Sequence, residues 1–150
     1  MSANTDTSSE DSSTEQPNLA VQTDPNVDYK LLGNGIHEFI FLSNKPQGVT
    51  TWAHIVGGIM EHIALSDTMR QLLDVRKGVA PLSHLANTIR DLQRKYPNQQ
   101  PSRLAVVSDN SFAPTLFNVL ISLLPTANAK VRYFKPNERE LAVRWLLAND

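Results

Sequence analysis

A chain of 150 residues, 41% hydrophobic and 19% charged with a net charge of −1, is long enough for one hydrophobic core and ordinary in composition for a globular domain. The absence of cysteine excludes a disulfide framework, a thiolate metal site and a cysteine nucleophile, and agrees with a cytoplasmic setting. No signal-peptide pattern opens the chain and no run approaches ~18 apolar residues, so it is expected to be neither secreted nor membrane-spanning.

The opening stretch, MSANTDTSSEDSSTEQ, is rich in Ser, Thr and acids. Asp6, Glu10, Asp11, Glu15, Asp24 and Asp28 all precede the first Lys or Arg, which leaves the remainder of the chain basic. Such a composition buries too little apolar surface to offset the entropy of ordering. Residues 1–27 are therefore expected to form a disordered acidic tail, and 28–150 the folded domain. The tail reads as a solubilising leader, with a role in covering a basic face as the functional alternative.

Residues 29–32 (YKLL) and 36–42 (IHEFIFL) flank GNG and predict a hairpin of two short strands. Trp52, Ile55, Val56, Ile59, Met60 and Ile63 recur at spacings of three and four, which predicts a helix over about 51–64 with Thr50 or Thr51 as its N-cap. A strand over about 70–75 follows, then the loop RKGVAP and a helix bearing Leu82, Leu85, Ile89 and Leu92, stopped by YPNQQP. RLAVV, 103–107, is a continuous apolar run and suits a strand covered on both faces. Phe112, Leu116, Val119, Leu120 and Leu123 predict a third helix with Pro114 in its first turn. The strand KVRYF, 130–134, precedes a last helix through Leu141, Trp145 and Leu146, with Asn137 and Glu140 as a capping box. The order ββαβαβαβα implies an α/β fold with a mixed, mostly parallel sheet of about five strands and about four helices.

The segments HEFIFLS, QLLDVRKG, RLAVVSD, VRYFK and ERELAVRWL, in this order and spacing across nearly all of 28–150, resemble the STAS-like or SpoIIAA-like domains of bacteria, the family of the anti-anti-sigma factors. The resemblance implies a small α/β domain used in protein-protein regulation, with small-ligand binding in some relatives. The regulatory members carry a phosphorylated serine in a loop reading roughly Asp-Ser-Ser-Gly, some nine residues after an acidic strand end. Ser83 stands nine residues after Asp74 without those Asp and Gly neighbours. It reads first as a serine placed to cap a helix start, with a phosphoacceptor role as the lesser alternative.

In open α/β sheets ligands sit outside the carboxyl ends of the strands. That rule selects Asp74, Arg76 and Lys77 after one strand, Ser108, Asp109 and Asn110 after the next, and Lys135 after the last, as a candidate partner or ligand edge. The same residue types also begin turns by bonding their own backbone. His54, Glu61 and His62 span two helical turns, about 11 Å of rise, too far for one ion, and HExxH is absent. Adjacent Ser83 and His84 point about 100° apart and make no nucleophile pair. The P-loop, dinucleotide and nucleophile-elbow glycine motifs are also missing, so neither an enzyme nor a cofactor is expected. Arg90, Arg94 and Lys95 lack interleaved aromatics, which argues against nucleic-acid binding. Gly57 and Gly58 each cost a helix interior about 1 kcal/mol and call for a close approach or a hinge. The leading expectation is a non-enzymatic regulatory domain that binds a protein partner or a second copy of itself through RKGVAPLSH; the alternative is a small-molecule or lipid carrier of related fold.

Overall fold

In the computed structural model, residues 24–98, 100–109, 113–124 and 129–148 are described. All but the last four residues of the expected tail lie outside this set, as do Asn110 and Phe112. The elements run in the order β1 (Val27–Leu31), β2 (His37–Phe41), α1 (Pro46–His62), β3 (Met69–Asp74), α2 (Leu82–Lys95), β4 (Ser102–Val107), α3 (Ala113–Leu123), β5 (Ala129–Phe134), a 3-10 turn (Pro136–Glu138) and α4 (Arg139–Leu147).

The five strands lie side by side in chain order. β1 and β2 are antiparallel, closed by a turn in which Gly35 takes φ +89°, and every later pairing is parallel. Each crossover steps to the next strand in one direction, so α1, α2 and α3 pack on a common face. Their core holds Phe39, Phe41, Trp52, Ile55, Val56, Leu73, Ile89, Leu104, Val106 and Leu116. Among the described residues only α4 covers the opposite face, where Leu72, Ala105, Val107 and Phe134 meet Ala142 and Leu146. Alternation along β3 divides the strand between the two cores, with Leu73 on the three-helix side and Leu72 on the α4 side. Arg103 through Val107 are all buried, as a strand covered on both faces requires.

Three local expectations are corrected. α1 begins at Pro46, not near residue 51, because a proline at the first helical position has the right φ and lacks only an N–H that would be unpaired. Thr50 and Thr51 are inside the helix and cap nothing; Thr51 Oγ1 donates instead to Asp24. α2 begins behind Pro81, and Ser83, already helical and exposed, makes no capping bond. At β5 the reach-back is made two residues early, with the Lys135 N–H donating to Glu138 Oε1 at 2.9 Å, in place of a box between Asn137 and Glu140.

Candidate functional site

The carboxyl ends of β3, β4 and β5 share one edge of the parallel sheet. At the end of β3 the chain stays in the ladder for one more residue, Val75 N–H donating to Val107 O at 2.9 Å. Val75 is buried in the three-helix core, and that alternation turns Asp74 toward the α4 side. The Asp74 side chain is only 12% exposed. Its Oδ1 accepts from the Arg76 backbone N–H at 3.1 Å and from Arg76 Nε at 3.0 Å. Its Oδ2 accepts from Nε at 3.1 Å and from Nη2 at 2.7 Å. Both carboxylate oxygens are therefore occupied by one guanidinium, a bidentate pair closed over an Asx turn.

This clamp fixes the path of the next loop. The hydrogen bond to Asp74, the Asp74 charge and then the charge of Asp109 raise the Arg76 pKa, holding its guanidinium protonated. Arg76 and Lys77 are exposed, and Gly78 turns back at φ +134°, with its N–H donating to Val75 O. A Cβ on Gly78 would lie 3.1–3.3 Å from the backbone of Ser43 and Asn44, so the loops after β2 and β3 pass too closely for a side chain. Val79 and Ala80 then return to the core and lead into α2, with Ser83 exposed in its first turn.

The remaining predicted edge residues divide. Asp109 is exposed and close enough to act on Arg76. Ser108 is fully buried; its N–H donates to Phe134 O at 3.2 Å and its carbonyl accepts from Tyr133 Oη at 2.9 Å, so it ties β4 to β5. Lys135 is exposed at the end of β5, with its backbone committed to the turn before α4. Lys45, exposed after β2, belongs to the same edge and escaped the sequence rule because the sequence presents β2 as half of a hairpin rather than as a parallel neighbour of β3. Sequence reading also missed Glu38, buried in β2 and ion-paired with Arg139 of α4, since 101 residues separate the partners.

Elsewhere the polar groups are engaged locally. Glu61 accepts from Tyr96 Oη, and His62 Nδ1 is 2.7 Å from Gly58 O. Among the described residues no group of three or more His, Cys, Asp or Glu side chains is placed to hold a metal ion, and no helix is long and apolar enough to cross a membrane. Gly57 faces Tyr96, whose Oη and Cε2 lie 3.1 and 3.4 Å from where a Cβ would stand, so close packing within the fold accounts for that glycine. The cavity beneath α1, α2 and α3 measures about 40 Å³. A buried water needs about 10–15 Å³ of such space, which puts this cavity at the scale of very small molecules.

Both oxygens of the Asp74 carboxylate accept from one guanidinium, and the exposed charged groups beside it on this edge are cations and one acid. A family model described as SpoIIAA-like matches residues 50–147, from the first turns of α1 to the end of α4. No curated protein and no solved structure matches the chain.

Proposed function

The chain belongs to the SpoIIAA-like family, and from that premise we propose that it is a non-enzymatic regulatory domain that binds a protein partner, a second copy of the chain included, through the loop and helix start Arg76–His84. STAS-like domains are in general regulatory or binding modules rather than catalysts. The observation that carries the reading is the Asp74–Arg76 clamp: it preorganises a loop with exposed Arg76 and Lys77 that leads into a helix start with exposed Ser83. A loop already fixed in one shape loses less entropy on docking. In this reading Asp109 and Lys135 form the rim of the contact. Ser83 is its candidate phosphoacceptor, because added negative charge in the first turn of α2 is favoured by the helix dipole.

The test is site-specific photocrosslinking of the full chain in its own cell extract. Probes at Lys77 and Ser83 are expected to trap one discrete partner or a second copy, while a probe at Asn34, in the hairpin turn between β1 and β2, traps neither. Arg76→Ala is expected to weaken the isolated complex about tenfold, of the order of one charged hydrogen-bonded contact, with unchanged circular dichroism. Ser83→Asp is expected to shift the same affinity. A protein that stays monomeric and gives no crosslink from either position overturns the proposal.

A further inference from the structure

Gln100 lies in the loop between α2 and β4 and is 3% exposed. Its Nε2 donates to Met60 O at 2.9 Å and Ile63 O at 3.2 Å, closing the C-terminal end of α1 from outside the helix. These two bonds set the orientation of the amide, because a flipped group would turn its oxygen against two carbonyl oxygens. In that orientation Oε1 is buried without a hydrogen-bond partner among the described residues. A desolvated acceptor left unpaired is costly, which makes the space beside it informative.

Gln100 lines the cavity of about 40 Å³ beneath α1, α2 and α3. The walls are mostly apolar, built from residues such as Trp52, Val56, Met60 and Leu104, and none of the lining residues is charged. Gln71, Gln93 and Ser102 bring the other polar groups. Gln71 Oε1 already accepts from Trp52 Nε1 at 2.9 Å, and Gln93 Nε2 donates to Leu123 O. The volume exceeds the ~10–15 Å³ that one water needs and falls far below the ~150 Å³ of a cavity that takes benzene. An uncharged wall makes no provision for an ion.

We propose that this cavity is a binding site for one neutral hydrogen-bond donor of about water size, held by Gln100 Oε1. The occupant extends the link that Gln100 Nε2 already makes between the C-terminal end of α1 and the start of β4, by engaging the other end of the same amide. Water and the hydroxyl of a small alcohol share the required chemistry. The site is independent of the partner edge, which lies at the opposite ends of the strands.

The full chain is tested by a high-resolution crystal structure together with water-to-methyl NOEs at Met60 and Met69. Expected are a density peak within hydrogen-bond distance of Gln100 Oε1 and NOEs to a long-lived occupant. Native mass spectrometry after gentle purification identifies the donor: no added mass assigns water, and a small added mass an alcohol. In Gln100→Met the peak and the NOEs are expected to be lost. Val56→Ile, which adds a methylene to the cavity wall and leaves the Gln100 side chain unaltered, is expected to lower Tm by displacing the occupant. A cavity without density or NOE, or a Tm raised by Val56→Ile as an empty void is filled, overturns the proposal.

Discussion

His37 shows how a single position in β2 can make stability depend on pH. The ring is half-buried and stacked on Tyr29, with Tyr29 Oη 2.8 Å from Nδ1. Burial pushes the Tyr29 phenol up and the His37 imidazole down from its ordinary 6.5. The phenol is thus the donor and neutral Nδ1 the acceptor, which leaves the ring proton on Nε2. The unfolded chain takes up a proton on His37 near pH 6.5, while the folded chain does so only at lower pH. Between the two values the unfolded state binds more protons, so stability rises with pH in that window and is lost as pH falls through it. Urea unfolding midpoints are expected to drop between about pH 7.5 and pH 5.5, spanning the ordinary imidazole range, and to drop less in His37→Gln. An equal drop in both proteins would assign the dependence to other groups. This pair was not visible in the sequence: the hairpin was, but its pairing register, which brings Tyr29 and His37 across from Phe39 and Leu31, is set by the turn.

At the scale of the element, α4 is the helix most dependent on its surroundings. Nine residues are too few for an isolated helix in water, so its helicity comes from packing against the sheet. The apolar contribution is Ala142 and Leu146 seated on Leu72, Ala105 and Val107. The polar contribution comes from two strand arginines. Arg70 Nε donates to Leu146 O at 2.6 Å, and Arg103 Nε donates to Trp145 O at 3.1 Å with its guanidinium 4.4 Å from the Trp145 ring centre. Cations on the last carbonyls satisfy groups the helix cannot and oppose its dipole. Arg103→Leu is therefore expected to cost about 1–3 kcal/mol, the range for losing a buried charged hydrogen bond, with amide exchange accelerated in 139–147 more than in α1. Uniform acceleration along the chain would contradict this local role. The helix itself was legible from Leu141, Trp145 and Leu146, whereas its anchoring was not, because Arg70 and Arg103 read only as strand residues until the sheet sets them beside α4. The first helix shows the converse. Its apolar stripe was legible, but the threonines at 50 and 51 suggested a start that Pro46 had already made. The strand-end rule put Asp74, Arg76 and Asp109 at the carboxyl edge of the sheet, where they stand, since position at that edge depends on topology alone. It could not tell that Ser108 faces inward or that Asp74 is consumed by Arg76, because those outcomes depend on side-chain direction at each strand end.

Across the whole molecule, one sheet serves two cores of unequal size, and each core holds one tryptophan. Trp52 lies among the side chains under α1–α3, and Trp145 packs against Phe134 on the α4 side at a ring distance of 5.9 Å. Every parallel strand from β3 to β5 contributes to both faces, so loss of one core removes the support of the other. Leu72 and Leu73 are neighbours on β3 yet belong to opposite cores, and both are buried. Truncating either to Ala is expected to cost about 2–5 kcal/mol from lost transfer and cavity terms. The informative measurement is cooperativity. In Trp52→Phe the fluorescence reports the α4 face, in Trp145→Phe it reports the three-helix face, and circular dichroism reports the whole. Coincident urea midpoints for each variant's two probes are expected, including when Leu72→Ala is added to destabilise the smaller core directly. A Trp145 transition preceding the loss of circular dichroism would mean that α4 detaches as a unit, and that the shared strands do not couple the two faces of the sheet.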